Sequence, residues 1–188
     1  MLLLLLFSCK KDPSITIIHG RITEYGAGAP IADAQVYVLC QEGTFLGPSS
    51  FSLIDSIPTD ADGEFYREYP AKELCGGVSC LPYKKGYFKG IEFYPVTTNK
   101  YFDVVLDPEA WLKIVTTPDG LQNYDHIGIG GDIRFETWAS QGTKVNIFIT
   151  RGNREKIVRW GPFSDPSIKF SETLYVPGGD TITYTIHY

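Results

Sequence analysis

The sequence lacks an excess of basic residues. Its 188 residues include 17 Lys and Arg against 22 Asp and Glu, which gives a formal net charge of -5. Domains that bind nucleic acids usually carry a basic patch or stripe, so we expect no nucleic-acid partner. The motifs Gly-x-Ser-x-Gly and His-Glu-x-x-His, typical of serine hydrolases and zinc proteases, are also missing. We therefore do not expect an enzyme.

Metal-ligating residues are scarce as well. The three histidines, His19, His126 and His187, are scattered along the chain and do not complete a zinc site with the cysteines. Asp60 opens an Asp-x-Asp-Gly sequence similar to the start of a calcium loop. The twelfth position of such a loop requires a bidentate Glu, but it is occupied by Ala71. We expect neither a metal nor a cofactor.

Methionine is nearly absent, with one residue, whereas 12 Tyr, 11 Phe and 3 Trp bring the aromatic fraction to 14%. In addition, 19 Gly and 12 Pro interrupt the chain at short intervals. Aromatic residues with frequent turn residues are typical of strands and hairpins. The sequence predicts an all-β protein, and its length fits two small domains.

Residues 1–13 carry the clearest sequence motif. An apolar run at residues 2–7 precedes Ser8, Cys9 and then charged residues. The run is too short to cross a bilayer, which needs about 20 apolar residues. The segment resembles the end of a bacterial lipoprotein signal peptide, with residues 1–8 removed and Cys9 lipidated. Because no basic residues precede the run, we expect that this signal peptide is truncated at its start.

This resemblance implies a protein anchored to the bacterial outer membrane by the lipid on Cys9, with residues 9–14 as its tether. Residues 10–12 also resemble the charged signal that sends some Gram-negative lipoproteins to the cell surface. Disulfides form in exported proteins. Cys40, Cys75 and Cys80 then allow one disulfide and leave one thiol, and their spacing leaves the pairing open.

Four short motifs in the first half of the sequence occur in an order that is typical of a known domain family. Residues 20–23 and 28–38 precede an Asp-Gly turn in residues 59–65 and a Lys-Lys-Gly-Tyr sequence at 84–87. Together they resemble the carboxypeptidase regulatory-like domain, a transthyretin-like sandwich of about seven strands, over residues 15–108. The Asp-Gly step also predicts a β-hairpin.

The resemblance implies structural roles for several residues. Gly20 and Gly63 would serve turns, and Phe65 and Tyr87 would pack between sheets. Residues 30–31 and 34–36 would enter the core. In metallocarboxypeptidases this domain follows a catalytic domain, which this chain does not contain, so catalysis is not implied.

Pro108 marks the predicted boundary, because the strand pattern restarts after it. Residues 111–188 show repeated alternation and predict a second β-sandwich, of immunoglobulin-like type or similar. The alternation predicts that every second residue of each of three segments shares one, mainly apolar face. These residues are Ile133, Phe135 and Thr137, then Val145, Ile147 and Ile149, and then Ile182, Tyr184, Ile186 and Tyr188.

Two tryptophans fall on the opposite, polar face by this reasoning. Trp138 and Trp160 could stack on sugar rings, with Arg134, Glu136 and Arg159 supplying hydrogen bonds. The alternative is that both tryptophans pack against another part of the chain.

The sequence as a whole predicts a non-catalytic, lipid-anchored envelope or surface lipoprotein that acts as a structural or binding module. Two alternatives stay open. One is a carbohydrate-binding surface lipoprotein of a glycan-uptake system, and the other is an accessory subunit of an envelope enzyme or adhesin assembly. The expected partners are the membrane, through the N-terminal lipid, and a glycan or an envelope protein.

Overall fold

The computed structural model describes residues 15–42, 50–88, 93–96, 100–117, 126–129, 142–161 and 170–187. These residues form β-strands joined by turns, with one 3₁₀ turn at Ala71–Glu73. The prediction of an all-β fold is confirmed. Within this described part, no helix has the length and apolar character needed to cross a membrane.

The chain divides into two compact units. Unit 1 takes the described residues within 1–22, 30–83 and 91–104. Unit 2 takes those within 23–29, 84–90 and 105–188. The predicted domain bounds are 15–108 and 111–188. They differ from this division mainly in segments 23–29 and 84–90, which fall within the first predicted domain but belong to unit 2.

Unit 1 is a β-sandwich. Its strands are β1 (Ile15–Glu24), β2 (Gln35–Glu42), β3 (Ser50–Pro58), β4 (Glu64–Pro70), β5 (Val78–Tyr83), β6 (Tyr94–Pro95) and β7 (Tyr101–Leu106), of which β1 and β7 end in unit 2. One sheet has the order β4-β1-β7 and the other the order β3-β2-β5-β6. Strand β1 pairs antiparallel with β4, and β2 pairs antiparallel with both β3 and β5.

The core of unit 1 follows from alternation, because successive side chains of a strand point to opposite faces. Strand β1 buries Ile18 and Ile22, and β2 buries Val36 and Val38. Phe65 is also buried, as the family resemblance implies. These four aliphatic residues therefore point inward, whereas Ile15 and Leu53 of the same unit are 51% and 60% exposed.

Gly20 does not serve a turn, contrary to what the resemblance implies. It lies inside β1, where a Cβ atom would be 2.1 Å from the carbonyl oxygen of Phe102 on β7. Glycine is therefore required by the close approach of two strands. Tyr87 also differs from the expectation, because it belongs to unit 2, where its hydroxyl donates a hydrogen bond to Glu24 (2.8 Å).

The Asp-Gly step is a turn between sheets and not the predicted hairpin. Strands β3 and β4, which flank it, lie in different sheets. The N–H of Gly63 donates to the carbonyl of Asp60 (3.1 Å), so Gly63 follows the two central residues of the turn. Its φ of +74° favours glycine, and a Cβ atom there would lie 2.4 Å from the carbonyl oxygen of Ile22.

Unit 2 is a second β-sandwich. Its strands are β8 (Glu109–Thr117), β9 (His126–Ile129), β10 (Lys144–Arg151), β11 (Arg154–Gly161), β12 (Phe170–Val176) and β13 (Thr181–His187). One sheet has the order β10-β8-β13, with β13 parallel to β8, and the other has the order β12-β11-β9. Leu112 and Ile114 of β8, Val158 of β11 and Ile186 of β13 form the buried cluster between them.

The orientation predicted for the aliphatic residues of strand β10 is wrong. Val145, Ile147 and Ile149 are 53%, 61% and 53% exposed, and Phe148 instead packs against the buried cluster. Directly opposed residues in neighbouring strands share a face. Phe148 is opposite Leu112, which is fully buried, so the pairing with β8 sets the inward face of β10.

Candidate functional site

The structure separates the predicted site residues that it describes. Trp160 shares a face of β11 with the buried Val158, and Arg159 is exposed on the other face. The indole packs against the core cluster and contacts Phe170 (5.9 Å between ring centroids) and Tyr184 (6.0 Å). Trp160 is a packing residue, and the prediction that it faces outward is wrong. Trp138, Arg134, Glu136 and Cys9 lie outside the described residues.

The structure resolves the cysteine pairing that the sequence left open. A disulfide joins Cys40 to Cys75, across 35 residues, within unit 1. Cys80 is a buried free thiol, and its burial raises its pKa to about 12. A thiol that stays protonated at neutral pH is a weak nucleophile, so Cys80 is structural.

The acidic turn at Asp60 is held together by its own backbone. The Asp60 carboxylate accepts hydrogen bonds from the N–H groups of Asp62 (2.9 Å) and Glu64 (2.8 Å). This Asx-type arrangement stabilises the turn. The described residues contain no cluster of three or more His, Cys, Asp or Glu that could hold a metal ion.

A network of charged and aromatic residues surrounds Asp107 in unit 2. Its carboxylate, 11% exposed, accepts a hydrogen bond from Nε of Arg154 (2.5 Å) and lies 3.8 Å from a guanidinium nitrogen of Arg151. The Arg154 guanidinium lies over the Tyr25 ring at 3.8 Å, and that of Arg151 over the Phe88 ring at 5.4 Å. The cation–π contacts attach segments 23–29 and 84–90 to the rest of unit 2, and the ion pairs with Asp107 hold the two arginines.

Asn153 also links segment 23–29 to the rest of unit 2. It has a φ of +56° in the turn between β10 and β11. Its side-chain amide donates to the carbonyl of Tyr25 (3.0 Å), and its side-chain oxygen accepts from the N–H of Gly178 (2.8 Å). The side chains of Asp107, Arg154 and Asn153 are engaged within unit 2, so we assign them a structural role.

The outward face of the β4-β1-β7 sheet carries a different cluster, which we call the aromatic face. Tyr66 on β4 and Tyr101 on β7 flank His19 on β1, with ring centroids 6.3 and 5.3 Å from the imidazole. Both contacts are edge-on. Tyr66 is 57% exposed and Tyr101 48% exposed. Exposed aromatic rings aligned across three strands offer a surface for a ligand.

Charged side chains border these rings. The same outward face carries Glu64, Glu68, Asp103 and Arg21, together with the aliphatic Ile15 and Ile17 of β1. The hydroxyl of Tyr66 donates to a carboxylate oxygen of Glu68, and this hydrogen bond raises the pKa of Tyr66. Nε of Arg21 donates to the carbonyl of Asp62 (2.9 Å). The face therefore carries three carboxylates and a single guanidinium, which favours ligands that donate hydrogen bonds.

Our sequence reasoning missed this face. Alternation in β1 places His19 on the other face of the strand from the buried Ile18. Phe65 and Phe102, which are adjacent in sequence to Tyr66 and Tyr101, are buried as well. These patterns indicate separately that each residue points outward. Their alignment depends on the sheet order β4-β1-β7, which joins strands distant in sequence.

The sequence matches no protein-family model and no curated protein. Among solved structures, it is similar to GBS52, the minor pilin of Streptococcus agalactiae, with 10% identity and a TM-score of 0.39, over 90% of this chain and 94% of that one. The shaft pilin SpaA of Lactobacillus rhamnosus GG gives 8% identity and a TM-score of 0.34, over 93% and 98% of the two chains.

The Bacillus anthracis TIE protein gives 12% identity and a TM-score of 0.35 over 93% of this chain. This chain spans only 34% of that protein. Similarities with TM-scores this low carry no argument about function.

Proposed function

We propose that this chain is a non-catalytic lipoprotein, anchored to the bacterial outer membrane through Cys9, that acts as a structural or binding module of the cell envelope. The observation that carries the proposal is the disulfide between Cys40 and Cys75. Disulfides persist mainly in exported proteins, and the apolar run before Ser8 and Cys9 supplies an export signal.

The length of the tether supports a position close to the membrane. Strand β1 begins at Ile15, six residues after Cys9. A fully extended chain spans at most about 3.6 Å per residue, so the tether reaches roughly 20 Å. In the lipidated protein, unit 1 would lie within that distance of the lipid headgroups.

The way in which the acidic side chains are used supports a non-catalytic role. Asp55 accepts a hydrogen bond from the Tyr69 hydroxyl (2.9 Å) and pairs with Arg67 (3.5 Å). Asp60 binds the N–H groups of its own turn, and Asp107 pairs with two arginines. These carboxylates stabilise turns and strand contacts, which is a structural use.

Replacing Cys9 tests the anchor. The full chain is expressed in a Gram-negative host and partitioned with Triton X-114, and Cys9→Ala is expected to move it from the detergent phase to the aqueous phase. Ser8→Ala is the matched control, because it keeps a small residue before the cysteine and should leave the chain in the detergent phase. Equal partitioning of both variants with the parent would contradict the proposal.

The aromatic face favours a second, narrower function. Exposed tyrosines beside carboxylates suit a ligand with both apolar faces and hydroxyl donors, which supports a carbohydrate-binding lipoprotein. The surface for it would be Tyr66 and Tyr101 of unit 1 in place of the tryptophans of unit 2.

A further inference from the structure

We infer that the aromatic face of unit 1 binds a neutral saccharide, laid across strands β4, β1 and β7. This inference rests on the proposed function, because it names the ligand class of the binding module. The rings of Tyr66 and Tyr101 provide the apolar contact surface. Glu64, Glu68 and Asp103 provide hydrogen-bond acceptors beside them.

The spacing of the two tyrosines suits an extended oligosaccharide. They lie on the two strands that flank β1, and neighbouring strands are about 4.8 Å apart, so the two tyrosine-bearing strands are separated by roughly 10 Å. This separation is comparable to the length of a disaccharide unit. Tyr66 and Tyr101 can therefore each contact a different sugar ring of one chain.

The chemistry of the face matches sugar hydroxyls. Ionised carboxylates only accept hydrogen bonds, and each carries two oxygens. Glu68 accepts a hydrogen bond from Tyr66, which orients that carboxylate beside the ring. Hydroxyl groups of a sugar can donate to the carboxylates while its C–H faces pack on the tyrosines.

The negative charge of the aromatic face favours a neutral ligand over an anionic one. Three carboxylates and one guanidinium give the face an acidic excess, and Arg21 already donates to the carbonyl of Asp62. An acidic polysaccharide or a phosphate group would be repelled by this surface. The expected ligand is a neutral glycan such as a glucan, mannan or xylan.

The same charges disfavour a protein partner. The buried centres of protein interfaces are depleted of charged residues. Covering the tyrosines with an apolar protein surface would desolvate the carboxylates beside them without supplying donors, which costs free energy. A saccharide avoids this cost because its hydroxyls replace the water.

The test is affinity electrophoresis of the full chain in mild detergent. Gels contain mixed-linkage β-glucan, galactomannan, xylan or glycogen, and a further gel contains anionic polygalacturonate. At least one neutral polysaccharide is expected to retard the chain, and polygalacturonate is not. Absence of retardation in every neutral gel would overturn the inference, as would retardation by polygalacturonate alone.

Variants then locate the binding surface. Tyr66→Ala and Tyr101→Ala are each expected to weaken the apparent association constant about tenfold, the effect of losing one stacking contact. Tyr66→Phe keeps the ring and should lose less. Tyr175→Ala is the matched control, because Tyr175 is 56% exposed on β12 of unit 2. Its binding should stay within about twofold of the parent.

Two further results would contradict the inference. The first is polysaccharide binding that both alanine variants retain. The second is a chain that self-associates in sedimentation experiments and loses that association with Tyr66→Ala, since the face would then be a protein interface. Triton X-114 partitioning of Cys9→Ala does not depend on these residues, so failure of the saccharide site and failure of the lipid anchor are distinguishable.

Discussion

Units 1 and 2 are both β-sandwiches, but the aromatic face of unit 1 and the outward face of β10 in unit 2 carry different kinds of side chain. Unit 1 exposes Tyr66 and Tyr101 beside carboxylates, whereas β10 of unit 2 exposes the aliphatic Val145, Ile147 and Ile149. Val145, Ile147 and Ile149 alternate as the residues of a buried face would, yet they are exposed. Alternation in a sequence therefore predicts the period of a strand but not which of its two faces is buried.

The neighbouring strand decides the buried face in unit 2. Strand β8 carries Lys113 between Leu112 and Ile114, so burial of the two aliphatic residues directs the lysine outward. The register of β10 then places Ile147 opposite Lys113 and Phe148 opposite Leu112. Three aliphatic residues of β10 are consequently outside, although their own segment suggests the reverse.

The largest effect on stability is expected in unit 1, at Gly63. Gly63→Ala adds a Cβ atom 2.4 Å from a backbone oxygen at a φ of +74°. Left-handed backbone strain and overpacking together are expected to cost about 3 to 5 kcal/mol in urea denaturation. Gly179→Ala of unit 2 is the control, because its φ is +78° but no atom lies within 4 Å of its Cβ position. It should cost only about 1 kcal/mol. Equal losses would mean that the contact with Ile22 is relieved by a backbone shift.

The disulfide is expected to have the next largest effect, again in unit 1. Cys40→Ala with Cys75→Ala removes a crosslink between residues 35 apart, which is expected to lower the free energy of unfolding by about 2 to 4 kcal/mol. Denaturant unfolding of the double variant measures the loss. Reduction of the parent chain with dithiothreitol should give a similar decrease. If reduction leaves the midpoint unchanged, the two cysteines are not paired in the protein.

Trp160→Ala tests the corrected orientation in unit 2. The half-buried indole packs on the core cluster, so its loss is expected to cost about 2 to 3 kcal/mol, somewhat less than a fully buried tryptophan. Ile147→Ser is the paired control, since a residue 61% exposed should change stability by about 0.5 kcal/mol or less. A large loss for Ile147→Ser with little loss for Trp160→Ala would restore the orientation expected from the sequence.

The last comparison concerns Cys80, whose effect on stability is expected only at high pH. Burial raises its pKa to about 12, from an ordinary value of 9.0. The native state therefore keeps its proton between these values while the unfolded state loses it, so stability is retained below pH 9 and falls as pH rises toward 12. Thermal unfolding across this range should show a smaller decrease for Cys80→Ala. A parallel decrease would assign the alkaline sensitivity to other groups, such as Tyr87, whose pKa burial also raises to about 12.

Local patterns predicted the all-β fold, because turn residues and alternation act over a few positions. The expected core residues of unit 1 came from the family resemblance, and Ile31, Ala34 and Phe65 are buried as it implies. The aromatic face required knowledge of sheet order, since residues 19, 66 and 101 are brought together only by pairing of distant strands. The sequence predicts that Trp160 faces outward, because alternation within its own strand does not indicate which face meets the opposing sheet.

The most direct test of the account is the intact mass of the chain extracted from bacterial membranes. We expect a protein that begins at Cys9, with residues 1–8 removed and a mass increase corresponding to several acyl chains. Cys40 and Cys75 are expected in one disulfide-linked peptide after proteolysis. An unmodified chain that retains Met1 would contradict the proposed lipid anchor.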